Sequence, residues 1–214
     1  MKINIVSSKQ SWINPYLKKF SNYLKRRKMN VKILYTHNHI KKSDISFFLS
    51  YWDVVPERIL KLSKFNLVVH ESNLPKGRGW SPITWQILKG KKKIVICLIE
   101  ATKKKDSGDI YLKKEIFFKG NELIDEIREK QVKVTLSLCK NFLVKYKNRA
   151  IKKKRQKGAS SYYFRRSPKD SLLQLNKTIK QNFNLLRIVD NKKYPAFFYF
   201  KNNKYIIHIY KEKK

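Results

Sequence analysis

The chain has 214 residues, 42% of them apolar and 13% aromatic, enough for one substantial core, which excludes a disordered polar tail. Its formal charge of +36 admits any polyanion as a partner. Yet only ten of the 51 basic residues are arginines, the type whose planar fork pairs bidentately with bases and phosphates. The lysines are spread everywhere, at Lys18-Lys19, Lys41-Lys42, Lys91 to Lys93, Lys103 to Lys105 and Lys152 to Lys154. Scattered lysine is what an AT-rich genome produces, so nucleic acid is not the expected partner. Steering of a phosphorylated substrate is the function such a surface would add.

The longest uncharged apolar stretch, Ile94 to Ile99, is too short to span a bilayer. Met1 to Ser8 reads as a short strand rather than the apolar segment of a signal peptide. Cys97 and Cys139 suggest no disulfide framework, and Cys97 in its apolar run reads as a buried free thiol. The expectation is a cytoplasmic protein.

Taken in chain order, Lys2 to Ser7 alternates polar with apolar and predicts the first strand. Ser11 to Lys28, with Trp12, Tyr16, Phe20 and Leu24 at helical spacing, predicts an amphipathic helix. Asn30 to Tyr35 and Asp44 to Tyr51 predict the next two strands. Pro56 to Ser63 predicts a short helix opening on proline. Phe65 to His70 is nearly continuous in apolar residues, as a buried parallel strand should be. Glu71 to Gly90 is rich in Pro and Gly and reads as irregular. Strands follow at Lys93 to Glu100 and Ile110 to Phe117, on either side of the loop Ala101 to Asp109. A long helix begins near Gly120-Asn121, with Leu123, Ile127, Val134, Leu138 and Phe142 along its core face. Glu122, Asp125, Glu126 and Glu129 read as its solvated, salt-bridged surface.

Lys152 to Lys157 reads as a basic linker. A segment at Tyr162 to Arg166, a helix over Ser171 to Arg187, and strands near Phe197 to Phe200 and Tyr205 to Tyr210 with an Asn202-Asn203 turn complete the chain. The fold class expected is α/β: a Rossmann-like core with a mostly parallel sheet over residues 1–150, and a small α+β C-terminal subdomain over 151–214.

Ligands of open α/β sheets bind beyond the carboxyl ends of the strands, which directs attention to two loops. One runs His70-Glu71-Ser72-Asn73-Leu74-Pro75-Lys76-Gly77-Arg78-Gly79-Trp80-Ser81-Pro82, and the other is Asp106-Ser107-Gly108-Asp109. A histidine that ends a buried strand and opens a glycine-rich loop is equally readable as catalytic or as hydrogen-bonded structure. His37-Asn38-His39 lacks the cysteines or carboxylates of a metal site, and no metal is expected.

These residues resemble the formyltransferase family, which includes methionyl-tRNA formyltransferase, glycinamide ribonucleotide transformylase and the sugar N-formyltransferases. The family's His-x-Ser-x-Leu-Pro, Arg-Gly, Pro and Asp-x-Gly-Asp-Ile positions are all filled, and Asp106 follows His70 by 36 residues. A multipart motif at fixed spacing is far more specific than a lone glycine loop. The resemblance covers residues 1 to 131 as a fold. Tyr163 to Ser171, Asn184 to Arg187 and Tyr194 to Phe198 are similar to the tail of sugar N-formyltransferases. Residues 132 to 214 leave little room for the larger C-terminal domain of the enzymes that formylate initiator tRNA.

The resemblance implies transfer of a formyl group from N10-formyltetrahydrofolate to a primary amine, on a UDP- or dTDP-linked 4-amino-4,6-dideoxy sugar destined for surface glycans. His70 would handle the amine proton, and Asp106 would orient and charge-stabilise its ring. The family's oxyanion donor, an asparagine two residues before the histidine, is replaced by Val68. Asn73 is the substitute the sequence offers for a contact worth about 3–4 kcal/mol in other acyl transfers. Folate would lie against Trp52, Asp53 and Val54 and against the loop Thr102 to Asp106, Lys105 included. Lys76, Arg78 and Arg166 would meet a pyrophosphate, Trp80 or Tyr163 would stack on the base, and Gly79 would join them in binding the substrate. The alternative implied is a methionyl-tRNA formyltransferase-like protein or an inactive RNA binder. A homodimer is left open.

Overall fold

The computed structural model describes residues 1–212; the last two positions of the expected C-terminal subdomain, Lys213 and Lys214, lie outside the described residues. Six strands form the central sheet in the order β2-β1-β3-β4-β6-β7. They span Lys2–Val6 (β1), Asn30–Leu34 (β2), Ser43–Phe48 (β3), Ser63–His70 (β4), Lys93–Glu100 (β6) and Ile110–Phe117 (β7). The first four are parallel, and β6 and β7 are antiparallel additions. The sheet is therefore mostly parallel, as its apolar strands imply. The reversal at β6 has a consequence for the site. The carboxyl end of β6 falls beside the middle of β4, where the Ala101 N–H donates to the Asn66 carbonyl. The loop 101–109 must then turn back toward His70.

Helix α1 (Asn14–Lys25) buries Leu17, Phe20 and Leu24, and the 24-residue α4 (Ile124–Lys147) covers β6 and β7. Buried Ile127, Gln131, Thr135, Leu138 and Phe142 recur on α4 at helical spacing. Phe142 meets Phe47, Phe65 and Tyr111 edge-on at 5.3–6.4 Å between ring centroids, the geometry that ring quadrupoles favour. Helix α2 is reduced to Glu57–Leu60, because β4 takes Ser63 through the pairing of Ser43 with Ser63.

Three expectations change. Glu71 to Gly90 is not wholly irregular. It holds the two-residue strand β5 (Arg78–Gly79) and helix α3 (Pro82–Leu88), with Pro82 in the first turn and Gly90 at φ 74° beyond the end. The single helix over Ser171 to Arg187 becomes a 3-10 turn (Pro168–Ser171) and α5 (Ile179–Leu186). Leu172 is extended and bridges to Phe197, with the Leu173 N–H on the Phe197 carbonyl, and a Thr178–Gln181 capping box restarts the helix. The C-terminal hairpin, β9 (Ala196–Phe200) and β10 (Asn203–Ile207), turns at Lys201-Asn202, one residue earlier than expected. Both turn residues have positive φ, as a two-residue type I′ turn requires.

The segment read as a basic linker is docked. Ile110 and Lys154 exchange N–H···O bonds of 2.8 and 2.9 Å, and β8 (Tyr162–Tyr163) pairs in parallel with β5. Further along, Arg187 at the end of α5 reaches Glu122 at 2.9 Å. Glu122 is only 3% exposed, which corrects its reading as solvated surface: it precedes α4 and points inward instead of lying on the helix face.

Candidate active site

The apolar β4 ends on His70, which is 5% exposed. Its Nε2 lies 2.8 Å from the Gly77 carbonyl oxygen. A carbonyl only accepts, so Nε2 carries the hydrogen and Nδ1 holds the lone pair of the neutral ring. Nδ1 faces Asp106 Oδ1 at 3.5 Å. In the imidazolium both ring nitrogens carry hydrogen, one on the Gly77 carbonyl and one facing Asp106 Oδ1.

Asp106 adopts φ 52°, a left-handed conformation that aspartate tolerates better than most residues. Its Oδ2 accepts the Gly79 N–H at 2.9 Å. One carboxylate thus meets the imidazole with one oxygen and ties down the first loop with the other. Gly79 has φ 97°, and a Cβ there would lie 2.4 Å from the Tyr163 carbonyl oxygen. Gly79→Ala is expected to push β8 off β5 and to cost at least about 1–3 kcal/mol in backbone strain. Urea unfolding measures this, and a variant as stable as the parent would show that the β5–β8 contact contributes nothing.

Asn73 does not join the pair. Its neighbour Leu74 buries among Cys97, Ile99 and Ile110, which sends Asn73 outward, where its Oδ1 accepts from Lys113 Nζ at 2.7 Å. Asn66 is also committed, donating to the Leu60 and Ser63 carbonyls. Val68, on the same strand face as His70, pairs in register with Phe48 and Ile99 and offers no donor.

Trp52, Asp53, Val54, Thr102 and Lys105 gather around one open cleft of about 80 Å³, together with Phe48, Tyr51, Val68, Ile99 and Asp106. His37 stands behind its wall, with Nδ1 at 2.8 Å from the Tyr51 hydroxyl. Among the described residues no group of three His, Cys, Asp or Glu is arranged for a metal, and no helix is long and apolar enough to cross a membrane.

The residues expected to meet a nucleotide are distributed differently. Lys76 is exposed. Arg78 is buried, its guanidinium donating to Gln156 Oε1 at 2.7 Å and to the Tyr162 hydroxyl at 3.4 Å, so it braces the loops. Arg166 donates to the Asp170 carbonyl at 2.9 Å, and burial holds its guanidinium below the usual range. Tyr163 stacks on Trp85 at 6.5 Å, because the β5–β8 pairing lays its ring over Gly77. Lys105 Nζ and Arg165 Cζ lie 3.5 and 5.1 Å from the Trp80 ring centroid. Cations therefore cover Trp80 where an open stacking face was expected.

Two neighbours were not singled out from the sequence. Glu71 turns to the α4 side, accepting from Gln131 at 2.7 Å. Burial raises its carboxyl against the pull of His70 and Gln131. Gln156 donates to the Asp106 and Gly108 carbonyls at 2.9 and 2.8 Å. Its one sequence signal is that it interrupts a basic run with a neutral side chain.

No protein-family model matches the sequence. The chain is 32% identical over 164 residues to the methionyl-tRNA formyltransferase of Sulfurihydrogenibium sp. (strain YO3AOP1), covering 75% of this chain and 52% of that relative. It is 33% identical over 170 residues to the bifunctional polymyxin resistance protein ArnA of Wigglesworthia glossinidia brevipalpis, covering 78% and 26%. The chain thus spans about half, or less, of the length of these curated relatives. Among solved structures, a methionyl-tRNA formyltransferase from Clostridium thermocellum superposes with a TM-score of 0.81 at 22% identity, over 100% of this chain and 94% of that one. HypX from Aquifex aeolicus in complex with tetrahydrofolic acid gives 0.80 at 16%, over 98% and 37%. A sugar N-formyltransferase from Shewanella sp FDAARGOS_354 gives 0.71 at 15%, over 100% and 99%. The fold is that of the formyltransferases, and over three quarters of its length the chain is similar in sequence to proteins of that family.

Proposed function

We propose that the protein is an N10-formyltetrahydrofolate-dependent N-formyltransferase acting on the primary amine of a nucleotide-linked 4-amino-4,6-dideoxy sugar, in the cytoplasm, for surface-glycan synthesis. The observation that carries this is the His70–Asp106 pair at the edge of the Trp52–Lys105 cleft. The cleft suits a flat heteroaromatic ring. Phe48, Tyr51, Val68 and Ile99 give it apolar walls, and loop 101–105 runs along its rim. When bound there, the folate supplies an activated formyl carbonyl.

The chain's own residues would then act on the proton. The attacking amine must be neutral and sheds a proton as its bond to the formyl carbon forms. His70 Nδ1 takes that proton, since Nε2 is already held by Gly77, and would return it to the folate nitrogen as that nitrogen's bond to the formyl carbon breaks. Asp106 Oδ1 closes on the new N–H and compensates the charge. With Val68 unable to donate, the imidazolium itself is the cation beside the developing oxyanion.

The sugar acceptor is supported by the C-terminal motifs and by the fold match along nearly the whole of a sugar N-formyltransferase. The 32% identity to a methionyl-tRNA formyltransferase and the charge of +36 favour initiator tRNA as the second reading. An absorbance assay for tetrahydrofolate release with UDP- and dTDP-linked amino sugars, run beside methionylated initiator tRNA, separates them. Sugar-dependent turnover with a formyl mass gain is the expected result. Turnover with tRNA alone would replace the sugar reading, and silence with both would overturn the proposed activity.

A further inference from the structure

The segment 154–163 runs between the two loops of the site and touches both. Lys154 extends the edge at Ile110 by a reciprocal pair of backbone hydrogen bonds. Ser161 Oγ accepts the Gly77 N–H at 2.9 Å, the Ser161 carbonyl accepts the Arg78 N–H at 2.8 Å, and the Tyr163 carbonyl accepts the Trp80 N–H at 3.0 Å. Between these anchors stands Gln156, half-buried in an otherwise exposed run of lysines and arginine.

Three of the four hydrogen-bonding positions of its amide are used. Both Nε2 hydrogens go to carbonyls of the second loop, those of Asp106 and Gly108, at 2.9 and 2.8 Å. Oε1 accepts from Arg78 of the first loop at 2.7 Å. Asp106 needs such a grip. Its φ of 52° is left-handed, a conformation that aspartate tolerates but leaves readily for the broader regions unless its backbone is held. Its side chain, pulled between His70 and Gly79, does not fix its own carbonyl.

We infer that Gln156 is a positioning residue: its two N–H donors hold the backbone of loop 106–108 so that the Asp106 carboxylate meets His70, with Arg78 aligning the amide from the other side. The inference deepens the proposed formyl transfer and rests on it for its kinetic readout. Glutamine is the side chain this place requires, because the two carbonyls need donors and the guanidinium needs an acceptor. Lysine or arginine, which fill the rest of the run, would set a cation against Arg78.

The test uses the full chain with Gln156→Met, which keeps length and loses every hydrogen bond, and Gln156→Glu, which keeps the acceptor for Arg78 and loses the donors. Both are expected to lower kcat about 100-fold, the scale of an ångström-sized misplacement of a reacting group. KM for folate and acceptor is expected to stay within about threefold, as uniform binding is untouched. Introduced into Asp106→Asn, Gln156→Met is expected to add less than about threefold, since Gln156 acts through that carboxylate. The same large factor in both backgrounds would overturn the inference, as would a Gln156→Glu protein with the parent's kcat.

Hydrogen exchange of the amides of residues 106–109 gives a readout that needs no turnover. If the parent chain formylates no amine, the function proposed above fails while this measurement still decides. Faster exchange in Gln156→Met sustains the clamp, and unchanged exchange removes it.

Discussion

Replacing His70 by asparagine is expected to lower kcat/KM for formyl transfer about 10³-fold, within the 10²–10⁴-fold range of a lost general base. The asparagine side chain is too short to reach the Gly77 carbonyl, which His70 Nε2 meets at 2.8 Å, but the strand end keeps its place through its backbone pairing with β6. What disappears is the nitrogen facing Asp106, the only imidazole position in the site that can accept the amine proton. Folate binding should persist, because His70 is not among the residues lining the cleft. Asp106→Asn is expected to lose about 100-fold by the same logic, since the imidazolium forms without a compensating charge. Steady-state kinetics alongside folate titration checks both, and a His70→Asn enzyme within tenfold of the parent would move the base elsewhere.

The second large effect lies away from the chemistry. Glu122 and Arg187 are buried together, their side chains 4% and 3% exposed, with Nη2 at 2.9 Å from Oε2. Arg187 Nε also donates to the Glu122 carbonyl at 2.9 Å, and the carboxylate accepts the Lys119 and Gly120 N–H groups. Glu122→Ala leaves a buried guanidinium without its partner, for which about 3–5 kcal/mol of stability is the expected loss. Urea unfolding measures it, and a loss below about 1 kcal/mol would show that water replaces the carboxylate at no cost.

The same residue gives the protein an acid limit. Burial works against its ionisation, but Lys130 and the two backbone N–H groups hold the Glu122 carboxyl down at about 2. An unfolded glutamate titrates near 4.3, so the unfolded chain binds the proton first as pH falls. The contribution of Glu122 is complete above about pH 5 and fades as pH drops through 4 toward 2. Arginine stays charged throughout, so the dependence belongs to the carboxylate. Glu122→Gln should flatten the stability profile in that window, and an unchanged slope would assign acid unfolding to other groups.

How much of this was legible beforehand varies by feature. β6 and β7 were bounded to the residue, Lys93–Glu100 and Ile110–Phe117, because apolar runs cut off by glycine, lysine and aspartate leave no other frame. That β6 runs against β4 was not legible, since a buried strand carries the same apolar pattern in either direction. Helix α3 hid among Pro and Gly, although Pro82 and Gly90 were its boundary marks. His70 and Asp106 stood out through a motif, whereas Trp52 to Val54 were pointed to only by the resemblance to a family, and the structure sets them in one cleft with Asp106. Asn73 was misplaced, because the burial of Leu74 beside it decides its direction and only the packed loop shows that.

The alternation of strands and helices, the apolar core and the two loop motifs are written in local sequence, since burial periodicity and turn chemistry act over a few residues. The tertiary structure alone decided which charged and polar side chains are bound and to what. Glu122 finds Arg187 across 65 positions, and Gln156 finds Asp106 across 50. Such pairings depend on where the backbone returns, and a run of lysines or a lone carboxylate reads the same whether it faces water or a partner.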